Sequence, residues 1–332
     1  METIQPIDIN QIECELQNFP EGLAFPWENV NKISRIDAGG LTVIAAGTSH
    51  GKSTLGYNLI LHILDNYDGA VILWTGEMAN VLVYARLVGI LAGRSFTNVL
   101  SSFRRGLFTP EDVAAKEKIA GWADRLYIID SLKQNVVSVS QLANALKAIT
   151  EHQKIAAVFV DYLQQMVPPA GKRYGSREQE VTAVAKHLHC TAVGMQIPII
   201  AFAQINRTNL QYKEKPRLTD LRESGGVEQY AQAVFGLWNS NMAGKRDTKA
   251  PPLVPTESWY WSENKTETES AVAVAEKRGG VLLEISVLKN RLRGNVAKAV
   301  PLLFFPNIGR LESFPALETG EISEDIDDDL PF

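Results

Sequence analysis

Three consecutive residues, Gly51, Lys52 and Ser53, have the types and spacing that most clearly indicate chemistry in this sequence. They complete the pattern A-x-x-x-x-G-K-S, which starts at Ala46, where glycine is usual and alanine is small enough to keep the turn. In such a loop the backbone N–H groups surround a polyphosphate, the lysine reaches the outer phosphates and the hydroxyl binds Mg²⁺. Lys52 and Ser53 are therefore predicted to take these two roles. The predicted nucleotide-binding residues of the loop are Ala46, Gly47, Thr48, Ser49, His50, Gly51, Lys52, Ser53 and Thr54.

Asp161 is the second residue with a predicted metal role, because it ends an apolar run over residues 156–160. Such a run is typical of a buried parallel strand, and a carboxylate at its end orients the water bound to Mg²⁺ in phosphate-loop sites. An aspartate at a strand end is common by itself. The pairing with the Lys52 loop upstream is what favours a Mg²⁺ site shared with Ser53.

Two further polar side chains follow apolar, strand-like runs. Glu77 comes after residues 70–74, at a strand end where open α/β sheets bind ligands, and is a candidate base for activating water. A carboxylate that balances the dipole of the next helix is the alternative, and residues 75–78 alone favour it. Gln204 follows residues 197–203 and is placed to read a γ-phosphate.

The segment 219–229, with the sequence TDLRESGGVEQ, combines Arg222 and Glu223 with two adjacent glycines. Glycine-rich backbone near an arginine suits a close approach to phosphate. A solvated surface loop is the alternative, and the segment taken alone favours it. We interpret the segment as a polar loop that enters a helix at Val227.

These residues need a scaffold, and strand-like apolar runs alternate with helical spacing along most of the chain. The predicted strands cover residues 41–45, 70–74, 126–130, 156–161, 197–203, 233–238, 281–288 and 300–305. The predicted helices follow the phosphate loop, start at Thr109, and cover residues 83–91, 138–150 and 178–195. This alternation predicts one α/β domain with a mostly parallel central sheet flanked by helices. Residues 239–270 are polar and broken by proline, and we expect this insertion to be mobile.

Composition argues against several other classes of protein. The chain has 332 residues, 45% of them hydrophobic and 21% charged, which suits a globular protein with a sizeable core. No apolar run approaches the roughly 20 residues of a membrane span, and the N-terminus lacks the basic start of a signal peptide. We therefore expect a cytoplasmic protein with no membrane partner. The two cysteines, Cys14 and Cys190, are expected to be packing residues in a reducing compartment.

The acidic charge of the chain is concentrated at its C-terminus. The net charge is −5, but residues 318–332 hold seven acidic residues and no basic one, so the remainder has 33 basic residues against 31 acidic ones. A run of acids cannot bury a core and predicts disorder. Solubility is the simplest role for such a tail, yet it does not require the final Leu330-Pro331-Phe332 with a free carboxylate.

Six segments together resemble one protein family. AGTSHGKST, TGEM, VDYLQQM, FAQINR, LRESGGVEQ and KNRLRG occur in the order and approximate spacing of the C-terminal motor domain of DnaB-type replicative helicases, a branch of the RecA-like ATPases. The resemblance covers about residues 35–313 and implies a RecA-like P-loop NTPase fold. The expected organisation is an arm or linker at 1–35, the motor at 36–314 and an acidic disordered tail at 315–332.

The resemblance also implies a role for individual residues at the nucleotide. ATP, or another nucleoside triphosphate, and Mg²⁺ would be bound by Lys52, Ser53, Arg86 and Asp161. Glu77 would activate the attacking water. Gln204 would sense the γ-phosphate.

Five other residues are implied to act beyond the subunit's own nucleotide. Lys289 and Arg291 would reach the nucleotide of the neighbouring subunit as an in-trans finger. Arg222, Glu223 and Gly225 would lie on the loop that follows the DNA backbone.

The implied function is that of an ATP-dependent helicase or translocase on single-stranded DNA, working as a ring, expected to be a hexamer, in phage-like or plasmid-like replication. Relatives carry a helical collar or a primase domain before the motor, where this sequence has about 35 residues. Ring assembly is therefore expected to rest on the arm and the motor. Two alternatives stay open: a RecA-like recombinase or recombination mediator, which would pair strands without unwinding, and a nucleotide-gated loading or assembly factor, in which the ring matters more than turnover.

The C-terminal tip, DDDLPF, resembles the acidic tip of bacterial single-stranded DNA-binding proteins. That resemblance implies that Phe332 docks into an apolar pocket ringed by basic residues on a replisome protein such as a primase, polymerase or loader. Asp327, Asp328 and Asp329 would steer the encounter.

Overall fold

The computed structural model describes residues 8–19, 21–205, 215–224, 226–241, 265–294 and 298–315, and these residues contain a nine-stranded sheet. The strands are β1 Leu41–Ala46, β2 Ala70–Thr75, β3 Leu126–Asp130, β4 Ile155–Asp161, β5 Ile199–Gln204, β6 Ala233–Asn239, β7 Val281–Asn290, β8 Ala299–Phe305 and β9 Arg310–Ser313. Their order across the sheet is β3-β2-β4-β5-β1-β6-β7-β8-β9. Neighbours from β3 to β6 are parallel, and β7, β8 and β9 continue antiparallel. The predicted mostly parallel sheet is confirmed.

Helices cover both faces of this sheet. The α-helices of the described residues are α1 Ile9–Gln17, α2 Glu28–Asn31, α3 Lys52–Asn66, α4 Asn80–Ala92, α5 Phe96–Arg105, α6 Pro110–Ala120, α7 Val139–Thr150, α8 Arg177–Met195, α9 Val227–Tyr230 and α10 Lys265–Lys277. Because side chains alternate along a strand, Ile44 and Phe202 pack with α3 to α6, whereas Val43 and Ala201 pack with α7 and α8. None of the helices in the described ranges is long and apolar enough to cross a membrane.

The segment predicted as an arm, residues 1–35, has two parts in the described residues. No residue of α1 is buried. Further along, Phe25, Trp27 and Val30 are buried in the core, and the Trp27 indole donates to the carbonyl oxygen of Leu311 at 3.1 Å. The second part is therefore packed against the motor, and α1 is the part that stands free of it.

Local signals explain one helix that was predicted and one that was not. The predicted helix start at Thr109 is confirmed, since Thr109 and Asp112 form a capping box at the start of α6. Helix α5 was not predicted, although the Ser95 hydroxyl accepts the Asn98 N–H at its start and Gly106 ends it in the left-handed conformation. The signals for α5 were present in the sequence, since these caps flank an apolar stripe at helical spacing formed by Phe96, Val99, Leu100 and Phe103.

Three expectations need correction. Residues 218–224 form a 3₁₀ helix instead of the polar loop predicted over 219–229, while α9 begins at Val227 as predicted. The insertion predicted over 239–270 ends in helix, because α10 starts at Lys265, and residues 242–264 lie outside the described part. Cys14 and Cys190 are not packing residues, because both are free and exposed.

Candidate functional site

The phosphate loop connects β1 to α3 as the pattern predicted. Gly51 precedes α3 with φ +93°, a left-handed conformation that glycine adopts without strain. The Lys52 ammonium donates to the carbonyl oxygens of Ala46 at 2.9 Å and Gly47 at 2.8 Å. The first N–H groups of α3 have no acceptor within the helix, and the positive end of its dipole lies there. The loop therefore presents N–H groups and a lysine around one point, which suits a polyphosphate.

His50 has a role in this loop that the pattern did not reveal. Its side chain is buried, and Nδ1 lies 3.1 Å from the carbonyl oxygen of Thr48, to which a protonated Nδ1 donates. A Cβ atom on Gly47 would lie 3.0 Å from the ring. The imidazole therefore packs inside the turn and requires a small residue at position 47.

Ser53 and Asp161 are brought together at the start of α3 and the end of β4. The Ser53 hydroxyl lies beside the Asp161 carboxylate, which is 5% exposed. Burial raises the pKa of Asp161 and the nearby Glu77 carboxylate raises it further, while the Ser53 hydrogen bond and the Lys52 charge oppose the rise. A hydroxyl beside a carboxylate offers oxygen donors of the kind that Mg²⁺ takes alongside phosphate and water. The described residues contain no cluster of three or more His, Cys, Asp or Glu, so a metal held by protein ligands alone finds no support there.

Glu77 and Gln204 lie at the same edge of the sheet as this pair. Thr75 is paired with Asp161 across β2 and β4, so Glu77 follows that pair by two residues, and its side chain is exposed. Gln204 is paired with Ala46 across β1 and β5, and its Nε2 donates to the Thr48 hydroxyl at 2.8 Å. The structure thus places the candidate base and the candidate sensor at the carboxyl ends of β2 and β5, which both lie on the same side of β1 and its phosphate loop.

Arg86 borders the site through Tyr57, a residue that the sequence did not single out. The guanidinium lies 4.0 Å from the centre of the Phe96 ring. Burial raises the pKa of Tyr57, the negative charges of Asp161 and Glu77 raise it further, and the Arg86 charge lowers it. The charges of Arg86, Asp161 and Glu77 therefore all influence the Tyr57 hydroxyl, which places Arg86 on the border of the site. Thr54 and Arg86 also line one small cleft, together with Tyr57, Phe96, Ile308 and Gly309.

Lys289 and Arg291 lie near the amino ends of the parallel strands, whereas their own phosphate loop lies at the carboxyl ends. Ala233 is paired with Asn290 and also with Thr42, the second residue of β1, so the end of β7 lies beside the start of β1. The six residues of β1 separate the two edges by about 20 Å. These two side chains are therefore not part of the nucleotide site of their own subunit.

At that edge, both side chains donate to the backbone of α9. Lys289 Nζ donates to the carbonyl oxygen of Glu228, and the Arg291 guanidinium donates to that of Gln229 at 2.5 Å. The pKa of Lys289 is lowered mainly by burial and also by the Arg291 charge, while Glu228 opposes the fall. Within the described residues, the hydrogen bonds of this cationic pair therefore attach it to the backbone of α9.

The candidate DNA residues directly precede α9. The backbone of Arg222 and Glu223 belongs to the 3₁₀ helix Leu218–Ser224, and Gly225 lies outside the described residues. The residues of the C-terminal tip, 327–332, also lie outside them. Their predicted roles stay predictions.

Comparison with known proteins identifies relatives over most of the chain. A family profile described as DnaB-like helicase C terminal domain matches residues 28–311. The replicative DNA helicase DnaB of Leifsonia xyli subsp. xyli is 30% identical over 267 residues, which are 80% of this chain and 53% of the relative. A probable plasmid replicative DNA helicase of Chlamydia psittaci is 25% identical over 282 residues, 83% of this chain and 56% of the relative. The chain thus spans about half the length of these relatives.

Two solved structures have the same fold. The ATPase domain of G40P superposes with a TM-score of 0.71 at 18% identity, covering 94% of this chain and all of that one. A DnaB-like replicative helicase, solved in a study of its interactions with primase, superposes with a TM-score of 0.69 at 19% identity and covers 94% of this chain and 68% of that one. The predicted RecA-like fold is confirmed by these matches.

Proposed function

Because this chain belongs to the DnaB-like helicase C-terminal domain family, we propose that it is an ATP-driven motor that moves along single-stranded DNA and separates strands during replication. One observation carries the proposal: a single sheet edge brings the Lys52 loop, the Ser53–Asp161 pair, Glu77 and Gln204 together. None of the relatives described above is named as a recombinase or a loading factor, and no feature of the residues that the structure describes favours those alternatives.

In the proposed reaction each residue at that edge has one task. Lys52 exchanges its two loop carbonyls for phosphate oxygens, and Ser53 with Asp161 holds Mg²⁺. When bound, the metal supplies charge neutralisation across the outer phosphates. Glu77 takes the proton of the attacking water, and Gln204 detects the γ-phosphate from its position beside Thr48. Arg86 lines the nucleotide site next to Thr54.

The position of Lys289 and Arg291 supports a ring in which each nucleotide lies between two subunits. Both side chains lie about 20 Å from their own loop, so a contact with transferring phosphate requires a second copy of the chain. A heterologous contact of this kind closes into a ring when its rotation divides a full turn. We take the ring to be a hexamer.

Free α1 suits the role of a connector in that ring. Ile9, Ile12 and Leu16 form an apolar stripe on one face of this helix and are 61%, 40% and 66% exposed, and Phe19, two residues past the end of the helix, is 52% exposed. The same chain carries an apolar cavity of about 660 Å³ between α4, α5, α6 and β3, lined among others by Val81, Leu100, Phe103 and Ile128. We propose that α1 of one subunit packs into this groove on the next subunit.

Adding charge to the α1 stripe is expected to dissociate the ring. Burial of each large apolar side chain contributes about 1.5–3 kcal/mol, so Ile12→Asp with Leu16→Asp is expected to weaken assembly at least about 100-fold. Native mass in the presence of nucleotide measures the loss. Asn10→Asp with Gln17→Asp adds the same charge off the stripe and should leave the ring intact. Val81→Asp in the groove should reproduce the loss. An intact ring both in Ile12→Asp with Leu16→Asp and in Val81→Asp would contradict this contact.

DNA-stimulated turnover tests the function itself. Wild-type protein is expected to hydrolyse ATP faster with single-stranded DNA and to displace a strand from a forked duplex. Arg222→Ala is expected to weaken DNA binding about tenfold and to reduce the salt dependence of binding, while basal hydrolysis stays near the wild-type rate. Arg278→Ala, which removes an exposed arginine of the α10 end, is the control. Equal loss of basal hydrolysis in Arg222→Ala would assign that segment to the nucleotide instead, and strand pairing without displacement would refute a helicase.

For the tail we propose recruitment of a replisome protein through Phe332 and the acids Asp327, Asp328 and Asp329. The support is the sequence of the tip alone. Deleting residues 327–332 should spare hydrolysis and abolish capture of a primase, polymerase or loader, and a tail peptide should compete only when it ends in phenylalanine. Unchanged capture after the deletion would refute the proposal.

A further inference from the structure

The last residues of β5 have a strand neighbour on one side. Pairing with β1 continues to Ala46 and Gln204, and the Ile205 N–H then donates to the Ala46 carbonyl at 3.2 Å. Pairing with β4 ends earlier, at Val160 and Ala201, because the chain after Asp161 turns into the 3₁₀ helix Leu163–Gln165. The outward N–H and C=O of Gln204 therefore need partners other than a strand.

The Gln164 side chain supplies both partners. Its Nε2 donates to the Gln204 carbonyl at 2.8 Å, and its Oε1 accepts the Gln204 N–H at 3.1 Å. A primary amide offers one donor and one acceptor side by side, as a peptide unit does, so this side chain replaces the missing strand at one residue. Gln164 is held in turn by Arg177, which donates to its carbonyl oxygen.

The next residue makes a parallel contact on the side of the base. A Cβ atom on Gly76 would lie 2.0 Å from Gln165 Oε1, so the Gln165 amide packs directly on the residue before Glu77. The Gly76 N–H also donates to the Asp161 carbonyl at 2.9 Å. One short turn thus follows the metal strand and contacts both the residue before the candidate base and the sensor strand.

We propose that Gln164 is a positioning residue that fixes the backbone of Gln204 so that its amide can read the γ-phosphate. This inference rests on the function proposed above. With its backbone held by β1 on one side and by Gln164 on the other, Gln204 keeps its Nε2 within 2.8 Å of Thr48 on the phosphate loop. The same turn begins at Asp161, so the sensor and the metal carboxylate move as one unit.

The test compares affinities for a non-hydrolysable ATP analogue and for ADP, beside kcat and KM. Gln164→Met keeps the size of the side chain and removes both hydrogen bonds. It is expected to lower the preference for the analogue over ADP about tenfold and kcat about 10- to 100-fold, with ADP affinity unchanged, because a displaced sensor loses contacts made only to the γ-phosphate. Gln164→Glu still accepts the Gln204 N–H but cannot donate. Its preference for the analogue over ADP should lie between those of the wild type and Gln164→Met.

Gln153→Met is the matched control, because Gln153 also bridges two groups, donating to the Asp124 carbonyl at 3.2 Å and the Tyr127 hydroxyl at 2.6 Å, just before β4 begins. A positioning role further requires that Gln164→Met changes little in a Gln204→Ala background, since the two act through one amide. Additive losses, or a loss no larger than that of Gln153→Met, would overturn the inference. If Gln164→Met does not fold, Gln164→Glu gives the same comparison. If the wild-type protein binds the analogue but does not hydrolyse ATP, the proposed function is refuted. The ratio of the affinities for the analogue and for ADP would then still decide the role of Gln164.

Discussion

Replacing Glu77 with glutamine is expected to lower ATP turnover by about 10²- to 10⁴-fold while nucleotide affinity stays within a small factor of wild type. Glutamine keeps the shape of the side chain but cannot take a proton from water. Glu77 is exposed at the edge of the sheet, two residues beyond the Thr75–Asp161 pair, so its replacement disturbs little packing. Steady-state hydrolysis beside binding of a fluorescent nucleotide measures both quantities.

The control for this variant is Glu151→Gln, which removes another exposed carboxylate at the end of α7. The alternative role of Glu77 predicts a different result. Helix α4 starts at Asn80, and a carboxylate that only balances its dipole contributes about 0.3–1 kcal/mol to stability and nothing to the rate. A lower melting temperature with wild-type turnover in Glu77→Gln would therefore remove Glu77 from the base role.

Replacing Arg291 with alanine is expected to lower turnover by about 10³- to 10⁵-fold, the range over which arginine fingers act. Mixing Arg291→Ala subunits with Glu77→Gln subunits should restore part of the turnover. In a ring that contains Arg291→Ala and Glu77→Gln chains, some interfaces combine the intact Glu77 of the first with the intact Arg291 of the second. Hydrolysis by the mixture should therefore exceed that of either variant alone.

The mixing experiment separates the in-trans role from an effect within one chain. Arg293→Ala is the matched control, because Arg293 lies two residues away and pairs with Asp37 at 3.5 Å. It should keep most of the wild-type rate. If the mixture stays as inactive as its components although native mass shows mixed rings, Arg291 does not complete the neighbour's site.

Sequence patterns predicted the parts of this site that are local in the chain. The Lys52 loop, Asp161 and Glu77 each follow a buried strand, and a strand followed by a polar residue is visible within ten residues. The contact of Gln164 with Gln204 joins residues 40 positions apart, and a single amide has no periodic signature. Nor could spacing place Lys289, since its distance from the loop follows from the antiparallel return of β7 beside β6.

The N-terminal segment shows the same limit. Ile9, Ile12, Leu16 and Phe19 recur at helical spacing, yet the segment is short and acidic, and its apolar residues were not interpreted as a helix. Trp27 is buried, and its indole donates to the carbonyl oxygen of Leu311 in β9, 284 residues further along the chain. Such packing depends on the assembled sheet, which no local pattern contains.

The hydrogen bonds from Lys289 and Arg291 to the α9 carbonyls have a consequence for the order of events in a working ring. In the proposed ring, phosphates of the neighbour's nucleotide would compete with the carbonyl oxygens of Glu228 and Gln229 for the N–H groups of these two side chains. Binding equilibria that share one element are reciprocal. If DNA binding moves α9 away from Lys289 and Arg291, these side chains would bind the neighbour's nucleotide more readily. Binding of that nucleotide would in turn favour the same movement of α9 by an equal factor. DNA binding by one subunit would in this way be coupled to the nucleotide site of the next subunit through two side chains. The sheet would act only as a rigid spacer.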